Sequence, residues 1–196
     1  MNEMPSIQNL VTDLNNGSIV GVGPAPLSDD ENNWRVLSPS IRYSFVHIKA
    51  SISAANFLEM ENAWKSITFN GSYLHYDAAC ATIANMDVNR RIIVSGNFSG
   101  CKFVVYKVSP SEFKCAHISR PGTNSDQFVT LMDAYANAQG WTVVREAPTV
   151  GLIGKNGCTG VVCVSQLITN QRVETIRLEM GALGRIVGRT MWSDNI

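Results

Sequence analysis

Two side chains of this sequence, a thiol and an imidazole, are spaced so that covalent chemistry is within reach. Val94-Ser95-Gly96-Asn97-Phe98-Ser99-Gly100-Cys101 is rich in glycine and small polar residues and ends in a cysteine. Lys102-Phe103-Val104-Val105-Tyr106 follows as a strand pattern, and His117 lies on the next one. Two adjacent antiparallel strands can bring such a pair together. Sulfur can then attack a carbonyl carbon while the imidazole takes the thiol proton and later returns one to the leaving group. The pairing is expected to favour the thiolate. Gly100 removes a side chain where a substrate carbonyl must approach. Gly96, Asn97 and Gly100 tolerate positive φ, so the loop, Ser99 included, is expected to form a nest of N–H groups for an oxyanion. A third group must fix the imidazole tautomer, and a side chain or a backbone carbonyl can serve.

The same residues have a plain structural reading. A cysteine entering a strand is often a small buried hydrophobe, and a strand histidine is often a packing or surface group. Cys115 shares a strand face with His117 but has no glycine-rich approach, which assigns it to packing. His47, between Val46 and Ile48, reads as structural. His75, between Leu74 and Tyr76 near turns, is a candidate to line a site. Gly151 to Gly157 lacks the order of a phosphate-binding loop and reads as a loop near the site.

The elements that must position these groups follow from periodicity and punctuation. Ser6 to Leu14 has helical spacing, and Ser18 to Val22 is a short strand within a loop region. Ile41 to Ile48 alternates as a strand. Ala54 to Ile67 and Asp77 to Met86 read as helices, with Phe69 to Tyr73 a turn between short strands. Arg91 to Ser95, Cys101 to Val108 and Glu112 to Ser119 are strands in series. Ser125 to Gln139 is a helix capped by Asn124 or Ser125, with Phe128, Leu131, Met132 and Tyr135 buried and Gly140 as its stop. Trp141 to Arg145, Thr159 to Leu167 and Val173 to Glu179 are further strands, and Gly181 to Trp192 fits no single element. Hairpins in sequence without regular βαβ alternation imply an α+β fold: a sandwich of two mixed or antiparallel sheets flanked by helices, as one domain over residues 1–196.

Composition narrows the function classes. The chain has 196 residues, 45% hydrophobic and 16% charged, with sixteen basic and sixteen acidic side chains. Such neutrality argues against nucleic acid or an anionic membrane as the main partner. No window approaches the roughly eighteen consecutive apolar residues of a membrane span. Met1 to Pro5 has neither the basic nor the apolar region of a Sec signal peptide. The five cysteines are odd in number and lack a CxxC pair. Cys158 and Cys163 have no histidine or acidic companions, so a zinc site is not expected, and reduced thiols are.

Ser95 to Cys101 resembles the catalytic segment of the cytotoxic necrotizing factor and Burkholderia lethal factor deamidases. In that segment a Leu-Ser-Gly-Cys motif opens a strand and a histidine on the following strand completes a dyad. Phe98 stands here in place of the leucine. The bacterial chemoreceptor glutamine deamidases share that fold and logic. The resemblance, over roughly Arg91 to Gly122, implies hydrolysis of a protein glutamine side chain to glutamate, with Cys101 as nucleophile and His117 as base. Ser95 occupies the place of a threonine that some members carry as a third catalytic group, while others use a backbone carbonyl. It further implies a bacterial toxin or effector made without a Sec signal and delivered into a host cytosol, a host protein as substrate, and no metal or organic cofactor. A cysteine hydrolase of peptides or small amides, and a binding protein with Cys101 buried, are the alternatives.

Overall fold

The computed structural model describes residues 34–45, 47–52, 58–61, 69–122 and 126–196. Thirteen strands over these residues form two sheets: β1 (Trp34–Ser38), β2 (Ile41–Ser44), β3 (His47–Ile52), β4 (Leu58–Glu61), β5 (Phe69–Tyr73), β6 (Ala81–Met86), β7 (Ile92–Phe98), β8 (Lys102–Lys107), β9 (Phe113–Ile118), β10 (Thr142–Ala147), β11 (Gly160–Thr169), β12 (Arg172–Met180) and β13 (Ile186–Asn195). One six-stranded sheet has the order β1-β2-β6-β9-β8-β10, and a seven-stranded sheet has the order β13-β12-β11-β7-β5-β3-β4. Both are mixed, since β2–β6 and β5–β7 are parallel pairs. Helix α1 (Gln127–Ala138) covers the outer face of the six-stranded sheet. The α+β, two-sheet architecture expected from sequence is the one observed. No helix among the described residues is long and apolar enough to cross a membrane.

Side-chain alternation explains the layers. On β8, Phe103 and Val105 point into the sandwich while Val104 and Tyr106 point toward α1. On β9, Phe113 and Cys115 face inward, and Ala116 and Ile118 face the helix. A sheet covered on both faces gives strands that read as unbroken apolar runs, as Phe103 to Tyr106 does. The register pairs Phe103 with His117 and Lys102 with Ile118. His117 therefore lies on the inner face, diagonal to Cys101.

Several expectations are corrected. Ser6 to Leu14 and Ser18 to Val22 lie outside the described residues, as does most of Ala54 to Ile67. Within that last segment, however, Leu58–Glu61 is strand β4 rather than helix, paired antiparallel with β3. Its Leu-Glu-Met-Glu order also alternates with a period of two, and strand pairing overrides the helical preference of those residue types. Asp77 to Met86 is a turn followed by β6, not a helix. Ala81 and Ala84 are the small residues of a central strand packed between β2 and β9. Phe69 to Tyr73 is strand β5, not a turn. The single strand expected over Ile41 to Ile48 is broken at Phe45, so that β2 and β3 belong to different sheets.

The helix begins at Gln127 after Asp126, which makes no side-chain cap bond; the expected caps, Asn124 and Ser125, lie outside the described residues. Its buried stripe is Val129, Met132 and Ala136, while Leu131 is exposed. Trp141 explains part of this rotation. Its N–H donates to Ala136 O at 2.9 Å, and its ring stands edge-on to Tyr135, filling the flank of the helix. Gly140 stops the helix as expected, at φ +71°.

The parallel β5–β7 pair leaves no room beside Gly71, where a Cβ would meet Ile92 O at 2.6 Å. Gly71→Ala is expected to force this pair apart and to cost about 1–3 kcal/mol, the usual range for overpacking. Chemical denaturation of the variant beside the parent chain measures it.

Candidate active site

Two chain crossings between the sheets meet at one place. Residues 99–101 carry the chain from β7 in the seven-stranded sheet to β8 in the six-stranded one. Residues 74–80 carry it from β5 to β6 in the same direction. Side-chain hydroxyls from neighbouring strands hold the second crossing. Ser95 Oγ donates to Leu74 O at 2.5 Å, Thr82 Oγ1 to His75 O at 2.6 Å and Ser119 Oγ to Ala78 O at 2.8 Å. The buried space between the crossings contains His117.

His117 sits on β9 with 1% of its surface exposed. Its Nδ1 lies 2.9 Å from Ser95 Oγ, a hydrogen bond that passes from one sheet to the other. A hydroxyl has one proton to give, and Ser95 gives its own to Leu74 O. Ser95 therefore accepts from Nδ1, which must carry the ring proton. Nε2 is left as a bare lone pair, buried, with no hydrogen-bond partner. That tautomer is the one a general base requires. The Phe98 ring stacks on the imidazole at 3.9 Å between centroids and fixes its plane, and Tyr76 approaches at 5.5 Å. Burial, with a smaller contribution from neighbouring His75, lowers the His117 pKa to about 3.

Cys101 ends the first crossing at 6% exposure, the highest of the five cysteines, all of which are free and buried. The nearby main chain and charge of Arg120, and the main chain of Cys101 itself, act to favour the ionised sulfur. Burial outweighs them, so the thiol is pushed up from its ordinary value. This corrects the expectation that the imidazole favours the thiolate: a neutral, desolvated imidazole has no charge with which to do so. The ground state pairs a neutral thiol with a neutral base. Thr149 Oγ1 donates to the Cys101 carbonyl and anchors the nucleophile's backbone from the segment after β10.

The structure thus joins His117 to Ser95 by a hydrogen bond, and the β8–β9 register sets Cys101, one residue before β8, diagonal to His117. The loop residues divide. Gly100 adopts φ +154°, a conformation that side chains avoid, and no atom lies within 4 Å of where its Cβ would be. The space beside it is open. Ser99 is exposed at the tip of the crossing. Gly96 and Asn97 are not part of a nest, because both belong to extended β7, where ladder pairing with β11 takes precedence over turn formation. The main chain that acts on the sulfur is that of Cys101 and Arg120. Sequence reasoning missed Arg120, Thr149 and Tyr76. Of these only Arg120, three residues after His117, carried a detectable signal, as a cation just beyond the histidine strand. Gly151 to Gly157 is a loop that begins two residues after Thr149 and includes a short 3-10 turn at Lys155–Gly157. Among the described residues no cluster of three or more histidine, cysteine or acidic side chains could hold a metal.

The tautomer argument has a spectroscopic consequence. His117 is expected to remain neutral and Nδ1-protonated from about pH 5 to pH 8, read by nitrogen-15 NMR of the ring. Ser95→Ala is expected to release that preference and shift both ring nitrogens. The pH sign follows. An unfolded histidine takes a proton near 6.5, which the folded one refuses down to about 3. The contribution of His117 to stability is therefore complete above pH 6.5 and is lost as the pH falls from there toward 3. The unfolding midpoint measured across that range checks this, and His117→Gln is expected to flatten the dependence.

A scan against protein-family models matches none, and a search of curated proteins finds no similar chain.

Proposed function

We propose that the protein is a cysteine-dependent amide hydrolase that deamidates a glutamine side chain of another protein. The observation that carries the reading is the buried chain His117 Nδ1–Ser95 Oγ–Leu74 O, which leaves Nε2 unpartnered beside the crossing that bears the thiol. A purely structural histidine deep in a core normally has both nitrogens satisfied. An orphaned basic nitrogen in a desolvated site is instead suited to receive a proton during a reaction. The likeness of Ser95 to Cys101 to the toxin deamidases supports glutamine as the substrate group, and a bacterial effector acting on a host protein as the setting.

The steps balance as follows. The Cys101 thiol proton passes to His117 Nε2 as sulfur attacks the carboxamide carbon. The carbonyl oxygen becomes an oxyanion facing the N–H groups of Cys101 and Arg120. Collapse returns the proton to nitrogen and releases ammonia, leaving a thioester. Water adds its oxygen to that carbon and gives a proton to Nε2. The thiolate leaves, is reprotonated, and glutamate is the product. Substrate enters past Gly100 and Tyr76, the latter 44% exposed and beside the imidazole.

A second reading rests on the burial of Cys101 and its raised thiol. Here Cys101 is inert packing and the protein is a non-catalytic binder. Incubation with host-cell lysate separates the two, with ammonia and the amide-to-acid mass gain on protein glutamines as readouts. The wild type is expected to produce both, and Cys101→Ala neither, with its fold retained. Ser95→Ala is expected to lower turnover by about ten- to a thousandfold with substrate binding preserved, and Ser95→Thr to keep much of the activity. Full deamidation by Cys101→Ala excludes the catalytic reading. Peptide-bond cleavage without ammonia points to a protease.

A further inference from the structure

Three loops leave the sandwich at the end where Cys101 lies, and the strand register identifies them. Phe98, the last residue of β7, pairs with Val161, and Val161 pairs with Glu179 near the end of β12. The crossing at residues 99–101, the loop ahead of β11 and the turn between β12 and β13 therefore leave one edge of three adjacent strands. At the usual strand spacing they are spread over roughly 10 Å. Contacts join them. Thr149 Oγ1 donates to the Cys101 carbonyl, and a Cβ on Gly181 would stand 3.2 Å from Gly157 O.

These loops present apolar side chains to solvent, namely Val150, Ile153 and Leu183. Leu183 is the most informative. It stands 93% exposed in the β12–β13 turn at φ +58°. The left-handed region crowds a Cβ, and glycine or asparagine fills such a position with less strain. Burial does not offset that strain, because the side chain lies almost wholly in water. A strained residue that the fold does not need has its use outside the fold. The charge on the same loops is one-sided. Lys155 and Arg185 are exposed, and neither forms an ion pair with another described residue. The carboxylates at this end are already matched, Glu146 by Lys102 and Glu179 by Arg177. A chain that is neutral as a whole thus sets two uncompensated cations beside its candidate site.

We propose that this end of the sandwich docks the protein substrate through a segment in which an apolar side chain and carboxylates flank the target glutamine. Leu183 takes the apolar contact, and Lys155 and Arg185 take the carboxylates. This deepens the deamidase reading and rests on it for the identity of the partner. The surface is continuous with the candidate site through Thr149, and the space beside Gly100 is open to a glutamine side chain. About three extended residues span the roughly 10 Å from the β12–β13 turn to that crossing.

The test uses the full chain carrying Cys101→Ala, so that binding is read without turnover, and fluorescein-labelled nonapeptides followed by fluorescence polarisation. The probe peptide has a central glutamine, a leucine three residues away and a pair of glutamates. One control carries serine for the leucine, and the other carries lysines for the glutamates. The probe is expected to bind about tenfold more tightly than either control and to weaken as salt rises from about 0.05 to 0.5 M. Leu183→Gly is expected to weaken the probe about tenfold while keeping or raising the thermal midpoint, a combination that a structural leucine does not give. Lys155→Glu combined with Arg185→Glu is expected to abolish the preference for glutamate over lysine. Equal binding of probe and lysine control, binding of no peptide, or unchanged binding by Leu183→Gly overturns the proposal. So does a lower thermal midpoint in that variant, or a dimer in sedimentation velocity that it dissolves, which seats a second copy on this surface. The wild type incubated with the same peptides separates the two readings. Preferential binding of the probe without ammonia release refutes the deamidase reading alone, and ammonia released equally from all three peptides refutes the docking surface alone.

Discussion

The site is organised by one hydroxyl. Ser95 stands on the inner face of one sheet, accepts from the His117 ring on the inner face of the other, and donates to the Leu74 carbonyl at the start of the second crossing. Ser95 is fully buried, so no water competes for these bonds, and their geometry decides which ring nitrogen carries the proton. Both crossings between the sheets must stay where they are for this bond to persist. The Thr82 and Ser119 hydroxyls tie down residues 74–80, and the stacked Phe98 ties down the chain leading into Cys101. The sandwich is the scaffold that holds an imidazole in one tautomer and one plane.

Desolvation is the second constraint, and it acts on both partners in the same sense. It keeps His117 uncharged and the Cys101 thiol protonated. Water exclusion makes each nearby dipole and charge more effective than it is at a surface. Burial pushes the thiols of Cys80, Cys115 and Cys163 up as well, that of Cys80 to about 12.

The legible part of the sequence was that in which local pattern and tertiary role agree. β8 and β9 alternate between the two faces of a sheet covered on both sides, so the strand pair and the register that sets Cys101 diagonal to His117 could be read from residue order. Gly140 ended its helix for a local steric reason. The misread segments are those where neighbours outvote local preference. Ala81 to Met86 is rich in small helix formers, yet its place between β2 and β9 makes it a central strand. Phe45 breaks a pattern that looked continuous, because the chain changes sheets there. The bond from Ser95 to His117 joins residues on different sheets. Spacing therefore could not establish it, although the resemblance pointed to a hydroxyl at that place. Thr149 reaches the Cys101 carbonyl with its hydroxyl from far along the chain, a contact that local pattern does not carry.

The central claim is that Cys101 forms a thioester with a glutamine side chain while His117, held by Ser95, moves the protons. Hydroxylamine competes with water for such a thioester and converts the glutamine to its hydroxamate. Mass spectrometry of host-cell proteins incubated with the chain and hydroxylamine is expected to find glutamyl hydroxamates with the wild type and none with Cys101→Ala. Ammonia release unaccompanied by hydroxamate, or hydroxamate formed equally by the Cys101→Ala chain, would contradict the account.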